Sequence, residues 1–328
     1  MMRVAVGISG GVDSAAAALL LKERGYDVFA LTMRLGRSDE DKTVNESRMA
    51  AERLGLEFVE ADFSKEWSCE VLEYLRTTYL SGETPNPCVR CNETVKLSLL
   101  PKKAFELGAD MFATGHYARI ENGRIYRAAD HRKDQSYFLY RVDREILKRL
   151  LLPLGDMTKA EVREFVRSRG IEIASKVDSQ DFCGGDLHKI INAPEKEGDI
   201  VTVTGKVIGR HKGFWNYTVG KRKGLGVGGG IPFYVVRLDA ENNRVIVAPK
   251  EAAAVDQFAI SEVLWHEDIS NLNQISVKVR SAGEPRLIKD FSLESNVFRL
   301  AEAIGGIASG QSAVFYSGDR LLGGGIIV

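Results

Sequence analysis

Short apolar runs alternate with helical patterns in the first part of the chain, and this alternation constrains the fold more than any other feature. The runs expected to form buried strands are Arg3–Ile8, Asp27–Met33, Glu57–Ala61 and Met111–Thr114. Apolar residues at helical spacing lie between them, in Ala15–Arg24, Ser47–Leu54, Lys65–Tyr79 and a stretch that ends near Leu107. A repeated strand–helix order predicts a parallel sheet with helices on both faces.

The segment that follows predicts a hairpin and two further helices. Asn122-Gly123 favours a tight turn, so we expect a hairpin over Ala118–Ala128. Helical patterns follow at Arg144–Leu151 and Lys159–Arg169. The second of these opens with Thr158 and Glu161 at the spacing of a capping box.

After about Ala193 the composition changes to glycine-rich turns between short β-branched runs. This pattern is typical of all-β domains, and it predicts a small middle domain and a terminal β-barrel. The expected domains are an α/β domain at 1–194, a central β-rich domain at 195–250 and a C-terminal barrel at 251–328.

Charge and cysteine content exclude several classes of protein. Lys plus Arg and Asp plus Glu both total 45, so nucleic-acid binding would depend on local basic clusters such as Lys221-Arg222-Lys223. No apolar run approaches the roughly 18 residues that span a bilayer, and the N-terminus leads directly into a strand pattern, so we expect neither a membrane segment nor a signal peptide. Four scattered cysteines do not fit a secreted disulfide framework, and a cytoplasmic location is therefore expected.

The stretch SGGVDS, Ser9–Ser14, stands between the first strand and the Ala-rich helix. Gly10 and Gly11 allow a sharp turn and close approach of a ligand to the backbone, and the following helix N-terminus favours an anion. It is neither a Walker A loop nor GxGxxG. Two interpretations stay open on spacing alone: a phosphate-binding loop, or a plain strand-to-helix turn with its N-cap at Asp13 or Ser14.

The six residues together resemble the PP-loop of ATP pyrophosphatases, which split ATP into AMP and pyrophosphate to adenylate a substrate oxygen. Six further stretches extend the resemblance in family order: TPNPCVRCN, ATGHYAR, KDQSYFLYR, SQDFC, YTVGKRKGLGVGG and, near the C-terminus, GQSAVFYSGDRLLGGGII. Taken together they resemble the tRNA-specific 2-thiouridylases, the MnmA or TrmU family, over nearly the whole chain.

The resemblance implies a fold and a reaction. The family has a PP-loop domain, related to the adenine nucleotide alpha hydrolases, then a small central β domain and a C-terminal β-barrel. Its members replace the 2-oxygen of the wobble uridine in tRNAs of the Lys, Glu and Gln type with sulfur. ATP, used with Mg²⁺, adenylates that oxygen, and a cysteine persulfide charged by a sulfur-relay protein or a cysteine desulfurase supplies the sulfur.

The resemblance also implies roles for individual residues. Cys183 matches the persulfide carrier, Cys91 matches the second catalytic cysteine, and Asp13 belongs to the catalytic PP-loop. ATP would be held by Gly7, Ile8, Ser9, Gly10, Gly11, Val12, Asp13, Ser14, Met33 and Gly115. The target base and the rest of the tRNA would meet Asn86, Pro87, Cys88, His116, Lys133, Asp134, Gln135, Arg280 and Gln311.

The CxxC pair of Cys88 and Cys91 has four interpretations. A structural disulfide is unexpected in a cytoplasmic protein, and structural zinc normally takes a second matched pair, which the chain lacks. We favour a catalytic thiol at Cys91 beside Cys88. Since some family members carry aspartate where Cys88 stands, a [4Fe-4S] cluster held by Cys88, Cys91 and Cys183 is the fourth interpretation.

The chemistry adds expectations about the thiols. A thiolate nucleophile requires a lowered thiol pKa, and Arg90 and Lys96 are local cations that could lower it. After sulfur transfer the two catalytic cysteines can form a disulfide that external thiols reduce. Cys69, within the helical pattern KEWSCEVLEYL, is expected to be a small buried hydrophobe.

Two departures from the family pattern and two rival functions remain. Gly184-Gly185-Asp186 follows SQDFC where the family commonly has aromatic and aliphatic residues, and KVRSA at Lys278–Ala282 has less arginine and tyrosine than usual.

The two rival functions are another PP-loop ligase that activates a small carboxylate or carbonyl, and a non-catalytic module that uses a nucleotide fold to hold RNA.

Overall fold

The structure is a computed structural model, and it describes residues 1–37, 39–171, 187–226 and 232–328. Contacts divide the described residues into two compact units. The first contains residues 1–71, the described part of 88–184, and 319–321. The second contains residues 72–87, the described part of 185–318, and 322–328. No helix among the described residues is both long enough and apolar enough to cross a membrane.

A parallel sheet forms the centre of the first unit. Its strands, in sheet order, are Phe58–Asp62, Asp27–Arg34, Arg3–Gly7, Met111–Ala113 and Leu150–Leu151. Val4, Ala5 and Val6 of the middle strand are fully buried, as expected for a strand covered on both faces. The chain first adds strands on one side of Arg3–Gly7 and then continues on the other, so the sheet has a topological switch point beside this strand.

Helices cover this sheet. They are α1 (Val12–Glu23), α2 (Glu40–Arg53), α3 (Ser64–Trp67), α5 (Pro87–Cys91), α6 (Leu100–Glu106), α7 (Arg144–Leu147) and α8 (Lys159–Arg167). Helix α4 (Glu73–Leu80) belongs to the second unit. Two π-helical segments, Ser68–Leu72 and Asn92–Leu99, interrupt the α-helical runs. Helix α1 is buried on nearly every side, because its alanines pack against the sheet and against Val162 and Val166 of α8.

The predicted hairpin and capping box are confirmed. Strands Ala118–Glu121 and Arg124–Arg127 pair antiparallel across Asn122 and Gly123, both at positive φ. The Thr158 side chain accepts from the Glu161 amide, and the Glu161 carboxylate accepts from the Thr158 amide.

One predicted helix is partly wrong. Helix α7 ends at Leu147, and Leu150–Leu151 joins the sheet edge beside Phe112–Ala113. The residue before a proline avoids the helical region, so Pro153 prevents a helix from continuing through the leucines.

The second unit includes a four-stranded sheet with its own core. In sheet order its strands are Phe233–Asp239, Arg244–Pro249, Gly198–Thr202 and Val207–His211. The first two form an antiparallel hairpin around Ala240–Asn243. Phe214, Trp215 and Val235 pack in the core of this sheet, next to the short helix α9 (Leu187–Ile191).

The C-terminal strands form a closed antiparallel barrel, as the sequence predicts. Around the barrel they are Ala254–Trp265, Val297–Gly305, Arg286–Ser292, Ser276–Lys278, Ser312–Ser317 and Arg320–Ile327. The first strand pairs with both the second and the last, which closes the barrel. Phe298 and Phe315, with ring centroids 4.5 Å apart, lie in its core. The predicted fold class is therefore confirmed.

Candidate active site

The PP-loop lies at the carboxyl end of the central strand, where it turns into α1. Gly10 has φ +70°, and a Cβ there would lie 2.9 Å from Glu46 Cβ and 3.1 Å from the Ser47 amide nitrogen. Only glycine satisfies both the backbone angle and the space. At Gly11 an added Cβ would meet only Ser9 Oγ, at 3.5 Å, so this side of the turn is open for close approach.

The loop leaves the first turn of α1 without a side-chain cap. The N-cap is Gly11 rather than Asp13 or Ser14, and no side chain bonds to the cap. Ser14 instead accepts from the Ser9 amide at 3.2 Å and donates to the Gly11 carbonyl at 3.0 Å. Backbone amides at the start of a helix, left without a cap, form an anion-binding site, and this arrangement fits the triphosphate of ATP.

Other predicted nucleotide residues gather at the same sheet edge. Ile8 donates its amide to Leu31 and accepts from the Thr32 hydroxyl at 3.0 Å, which fixes the loop to the neighbouring strand that carries Met33. Gly115 follows the adjacent strand on the other side, and a Cβ there would lie 2.8–2.9 Å from the backbone of Asp13 and Ser14. Glycine is therefore required where this segment crosses the start of α1.

Asp13 is held by two side chains that were not among the predicted site residues. Lys159 Nζ lies 2.8 Å from both carboxylate oxygens of Asp13, and the Tyr117 hydroxyl donates to Asp13 Oδ1 at 2.8 Å. Lys159 and Tyr117 are both buried, at 8% and 3% exposure. The only trace of this role in the sequence is a lysine in the first turn of a helix, where the helix dipole disfavours a cation.

The CxxC pair lies on α5, which runs without a break into the π-helical segment Asn92–Leu99. Both thiols are reduced, Cys91 is buried and Cys88 is partly buried. Burial raises the pKa of Cys88 to about 11, against the lowering effect of Lys96. Burial also raises the pKa of Cys91, although Lys96 and the Trp67 side chain act in the opposite direction. The lowered thiol pKa that the chemistry requires is therefore not present in this state of the protein, because desolvation outweighs the nearby cation.

Of the two proposed cations, Lys96 is the one that acts on the thiols. Arg90 is bound to Glu70 at 2.6 Å and to Glu93 at 3.2 Å. Lys96 follows Cys91 by five residues, which is the spacing of the backbone hydrogen bonds in a π-helix, and the Lys96 backbone hydrogen-bonds to Cys91. The π-helical turn thus brings Lys96 close to Cys91, the predicted second catalytic cysteine.

His116 directly follows Gly115, just beyond the end of the strand Met111–Ala113. Its Nδ1 is 2.8 Å from the Thr114 hydroxyl. Burial, with a smaller contribution from Lys96, lowers the pKa of His116 to about 3. The imidazole is therefore neutral at physiological pH, and it can offer a hydrogen bond but no charge.

The three residues predicted to contact tRNA at 133–135 differ in accessibility. Gln135 is bonded to Tyr117 through its side chain at 2.9 Å and its amide at 2.8 Å, and Lys133 is partly exposed. The Asp134 side chain is fully buried, where it accepts from Ser136 and lies 3.4 Å from Arg127. Asp134 thus supports the local chain rather than presenting its carboxylate to a ligand.

Within the second unit, Gln311 fixes the segment that carries Asn86. Gln311 Nε2 donates to the carbonyls of Thr84 and Pro85, each at 3.0 Å. The Thr84 amide donates to Ser309 at 2.8 Å. Asn86 itself is 9% exposed. The segment predicted to face the target base is therefore held by Ser309 and Gln311, which precede the barrel strand Ser312–Ser317.

Arg280 is exposed, but its guanidinium is committed to the protein. It donates to the Gly306 carbonyl at 2.7 Å and to the Gly305 carbonyl at 3.1 Å. A tRNA contact by Arg280 would therefore use the remaining face of the guanidinium.

Cys183 and the segment Gly184-Gly185-Asp186 lie outside the described residues. Among the residues that are described, no group of three or more His, Cys, Asp or Glu side chains is arranged to hold a metal ion. The three-cysteine cluster, which requires Cys183, stays a prediction. The expectation for Cys69 is wrong: it is exposed, because the buried face of its helical run is formed by Trp67, Val71 and Leu75.

Family models match the chain in three consecutive segments. They are described as a tRNA methyl transferase HUP domain (residues 2–184), a tRNA methyl transferase PRC-barrel domain (187–249) and an aminomethyltransferase beta-barrel domain (255–327). Fold and site together thus define the class: a HUP-domain protein of the tRNA methyl transferase type, with two β domains after the HUP domain.

Full-length relatives narrow the class to a family. Proteins named tRNA-specific 2-thiouridylase MnmA are 39% identical in Rickettsia massiliae, 40% in Syntrophomonas wolfei and 38% in Endomicrobium trichonymphae. The alignments cover 99%, 99% and 100% of this chain and 96%, 100% and 99% of the relatives. The chain belongs to the tRNA-specific 2-thiouridylase family.

Proposed function

We propose that the protein is a tRNA-uridine 2-sulfurtransferase, which converts the wobble uridine of tRNA into 2-thiouridine with ATP as the activating substrate. The observation that carries this proposal is the uncapped Gly10-Gly11 turn at α1, in the same compact unit as a buried cysteine helix, in a chain that aligns end to end with 2-thiouridylases.

The first step is activation of the uridine 2-oxygen. The PP-loop amides and the hydroxyls of Ser9 and Ser14 would hold the triphosphate, with Gly115 and Met33 beside the nucleotide. The 2-oxygen attacks the α-phosphorus and pyrophosphate leaves. The 2-oxygen, which is a poor leaving group by itself, can then depart from C2 as part of AMP. Mg²⁺, which at such sites binds phosphate oxygens and keeps several of its waters, would neutralise phosphate charge.

The second step is sulfur transfer. The terminal sulfur of a Cys183 persulfide attacks C2 and AMP departs, which leaves C2 joined to Cys183 through two sulfurs. The Cys91 thiolate then attacks the Cys183 sulfur, the S–S bond breaks toward C2, and the products are 2-thiouridine and a Cys91–Cys183 disulfide. External thiols reduce that disulfide, and a sulfur-relay protein or cysteine desulfurase recharges Cys183.

The raised pKa values of the two CxxC thiols fit this order of events. Because burial raises the pKa of both CxxC thiols in the free protein, the protonated form is favoured and Cys91 is a weak nucleophile before substrate is in place. Lys96 provides the charge that favours its thiolate.

The test is an anaerobic assay with transcript tRNA of the Lys, Glu or Gln type, ATP, magnesium and a sulfur source, with 2-thiouridine measured by mass spectrometry. We expect Cys183→Ser to abolish sulfur transfer while ATP and tRNA still bind, and Cys69→Ser, at an exposed thiol, to stay active. Undiminished 2-thiouridine with Cys183→Ser contradicts the persulfide role. A wild-type protein that forms no 2-thiouridine contradicts the function.

Iron and sulfide analysis of the same anaerobic preparation separates the persulfide route from the cluster. A colourless, fully active protein without iron excludes a [4Fe-4S] cluster. Pyrophosphate exchange stimulated by a small carboxylate but not by tRNA would instead indicate a PP-loop ligase.

A further inference from the structure

Lys159 stands outside every stretch that carries the family resemblance, yet its ammonium reaches the PP-loop. It is the first residue of α8, directly after the N-cap Thr158. Its side chain is 10% exposed, and Nζ lies 2.8 Å from both oxygens of Asp13. The Tyr117 ring flanks the pair, with its centroid 5.9 Å from Nζ.

The capping box and the core fix this contact in place. Thr158 and Glu161 hold the first turn of α8 through reciprocal hydrogen bonds. Val162 and Val166 pack against the alanines of α1. Since both helices are rigidly packed, Lys159 has a short and well-defined path to Asp13.

Each residue of the pair stands where its charge has an electrostatic consequence. Asp13 is in the first turn of α1, where a free carboxylate would occupy the positive end of the helix dipole and repel phosphate. Lys159 is in the first turn of α8, where a cation is disfavoured unless it has a partner. Pairing removes both problems, and it leaves the amides of the PP-loop as the groups that attract an anion.

We propose that Lys159 is a positioning residue of the ATP site: it holds and neutralises Asp13, so that the start of α1 accepts the triphosphate. The inference rests on the proposed function only in taking ATP as the ligand of the PP-loop. It assigns to Lys159 a charge-balancing role, without contact to the reacting atoms.

The experiment measures equilibrium binding of Mg·ATP to the full chain by calorimetry, without tRNA. Lys159→Met should weaken binding about tenfold or more, since it exposes phosphate to an unpaired carboxylate. Lys159→Arg should stay within about threefold of wild type because the charge is kept. Asp13→Asn combined with Lys159→Met should recover most of the loss, because both charges are removed together.

Lys148→Met, at an exposed lysine paired with Glu145, is the matched control and should bind as wild type does. Melting temperatures are measured alongside, and the charge-neutral double variant and Lys159→Arg keep the test valid if Lys159→Met unfolds. Wild-type affinity in Lys159→Met overturns the inference. So does a loss that Asp13→Asn does not relieve, since it means direct phosphate contact or a purely structural role. A wild-type chain that binds no Mg·ATP overturns the proposed function as well.

Discussion

The Tyr117 hydroxyl donates to Asp13 at 2.8 Å, and this bond joins the PP-loop to the segment proposed to contact tRNA. The amide of Tyr117 donates to the Gln135 side chain, and its carbonyl accepts from the Gln135 amide. A buried ring thus lies between the residue proposed to border the triphosphate and a residue of the segment proposed to contact tRNA. A displacement of Asp13 would therefore be transmitted to Gln135 through these three hydrogen bonds of Tyr117.

Tyr117→Phe tests this connection. The variant keeps the ring and both main-chain bonds to Gln135 and removes only the bond to Asp13. We expect the free energy of unfolding to fall by about 1 kcal/mol and the KM for ATP to rise several-fold. Tyr26→Phe is the control, since its hydroxyl makes no hydrogen bond among the described residues. Equal KM values in Tyr117→Phe and wild type contradict the connection.

A pair of glycine variants tests the geometry of the PP-loop. In Gly115→Ala the new Cβ meets backbone atoms of Asp13 and Ser14 at 2.8–2.9 Å, whereas in Gly11→Ala it meets only Ser9 Oγ at 3.5 Å. Backbone cannot move aside as a flexible side chain does, so we expect Gly115→Ala to lose about 1–3 kcal/mol of stability. Gly11→Ala should unfold close to wild type. Chemical denaturation measures the stability of both variants. Equal denaturation midpoints would show that Gly115 is not tightly packed against the backbone of Asp13 and Ser14.

Much of the fold could be predicted from the sequence because the residues that determine each element are close together in the chain. RVAVG and its neighbouring runs predict the parallel strands, Asn122-Gly123 predicts the hairpin, and Thr158 with Glu161 predicts the start of α8. Each depends on residues a few positions apart. The π-helical segments were not predictable in this way, because no simple residue pattern marks the extra residue in a turn.

The site was predictable only where a motif is contiguous. Gly10 and Gly11 predict a loop without information from elsewhere in the chain. The partners of Asp13, in contrast, come from positions 104 and 146 residues away. The thiol pKa values were also out of reach, since sequence places a cation near Cys91 without giving the depth of burial that outweighs it.

The reactivity of the thiols follows from that burial. With a pKa of about 11, Cys88 carries roughly one part in a thousand of thiolate at pH 8. In the tRNA-free protein we therefore expect iodoacetamide to modify the exposed Cys69 long before Cys88 or Cys91, with the Cys88 rate rising about tenfold per pH unit up to pH 10. Lys96→Gln should slow both buried thiols further. Peptide mass spectrometry after timed labelling reads each site, and labelling of Cys88 as fast as Cys69 at pH 8 contradicts the prediction.

His116 makes a testable contribution to acid sensitivity. Its folded-state pKa of about 3 lies below the usual 6.5, so the unfolded chain takes up a proton at a pH where the folded protein does not. The contribution to stability is complete above pH 6.5 and is lost as pH falls toward 3, by about 2 kcal/mol at pH 5. His116→Asn should remove this part of the slope in urea unfolding measured between pH 7 and 5. A slope that is identical in wild type and variant contradicts the assigned burial.

The grip of Gln311 on Thr84 and Pro85 has a consequence for biosynthesis. The two ends of this contact are 227 positions apart in the chain. A ribosome synthesises Thr84 and Pro85 long before Gln311, so the segment around Asn86, which is proposed to face the target base, gains these two hydrogen bonds only after Gln311 has emerged. A polypeptide that stopped before Gln311 would leave the Thr84 and Pro85 carbonyls without these hydrogen bonds.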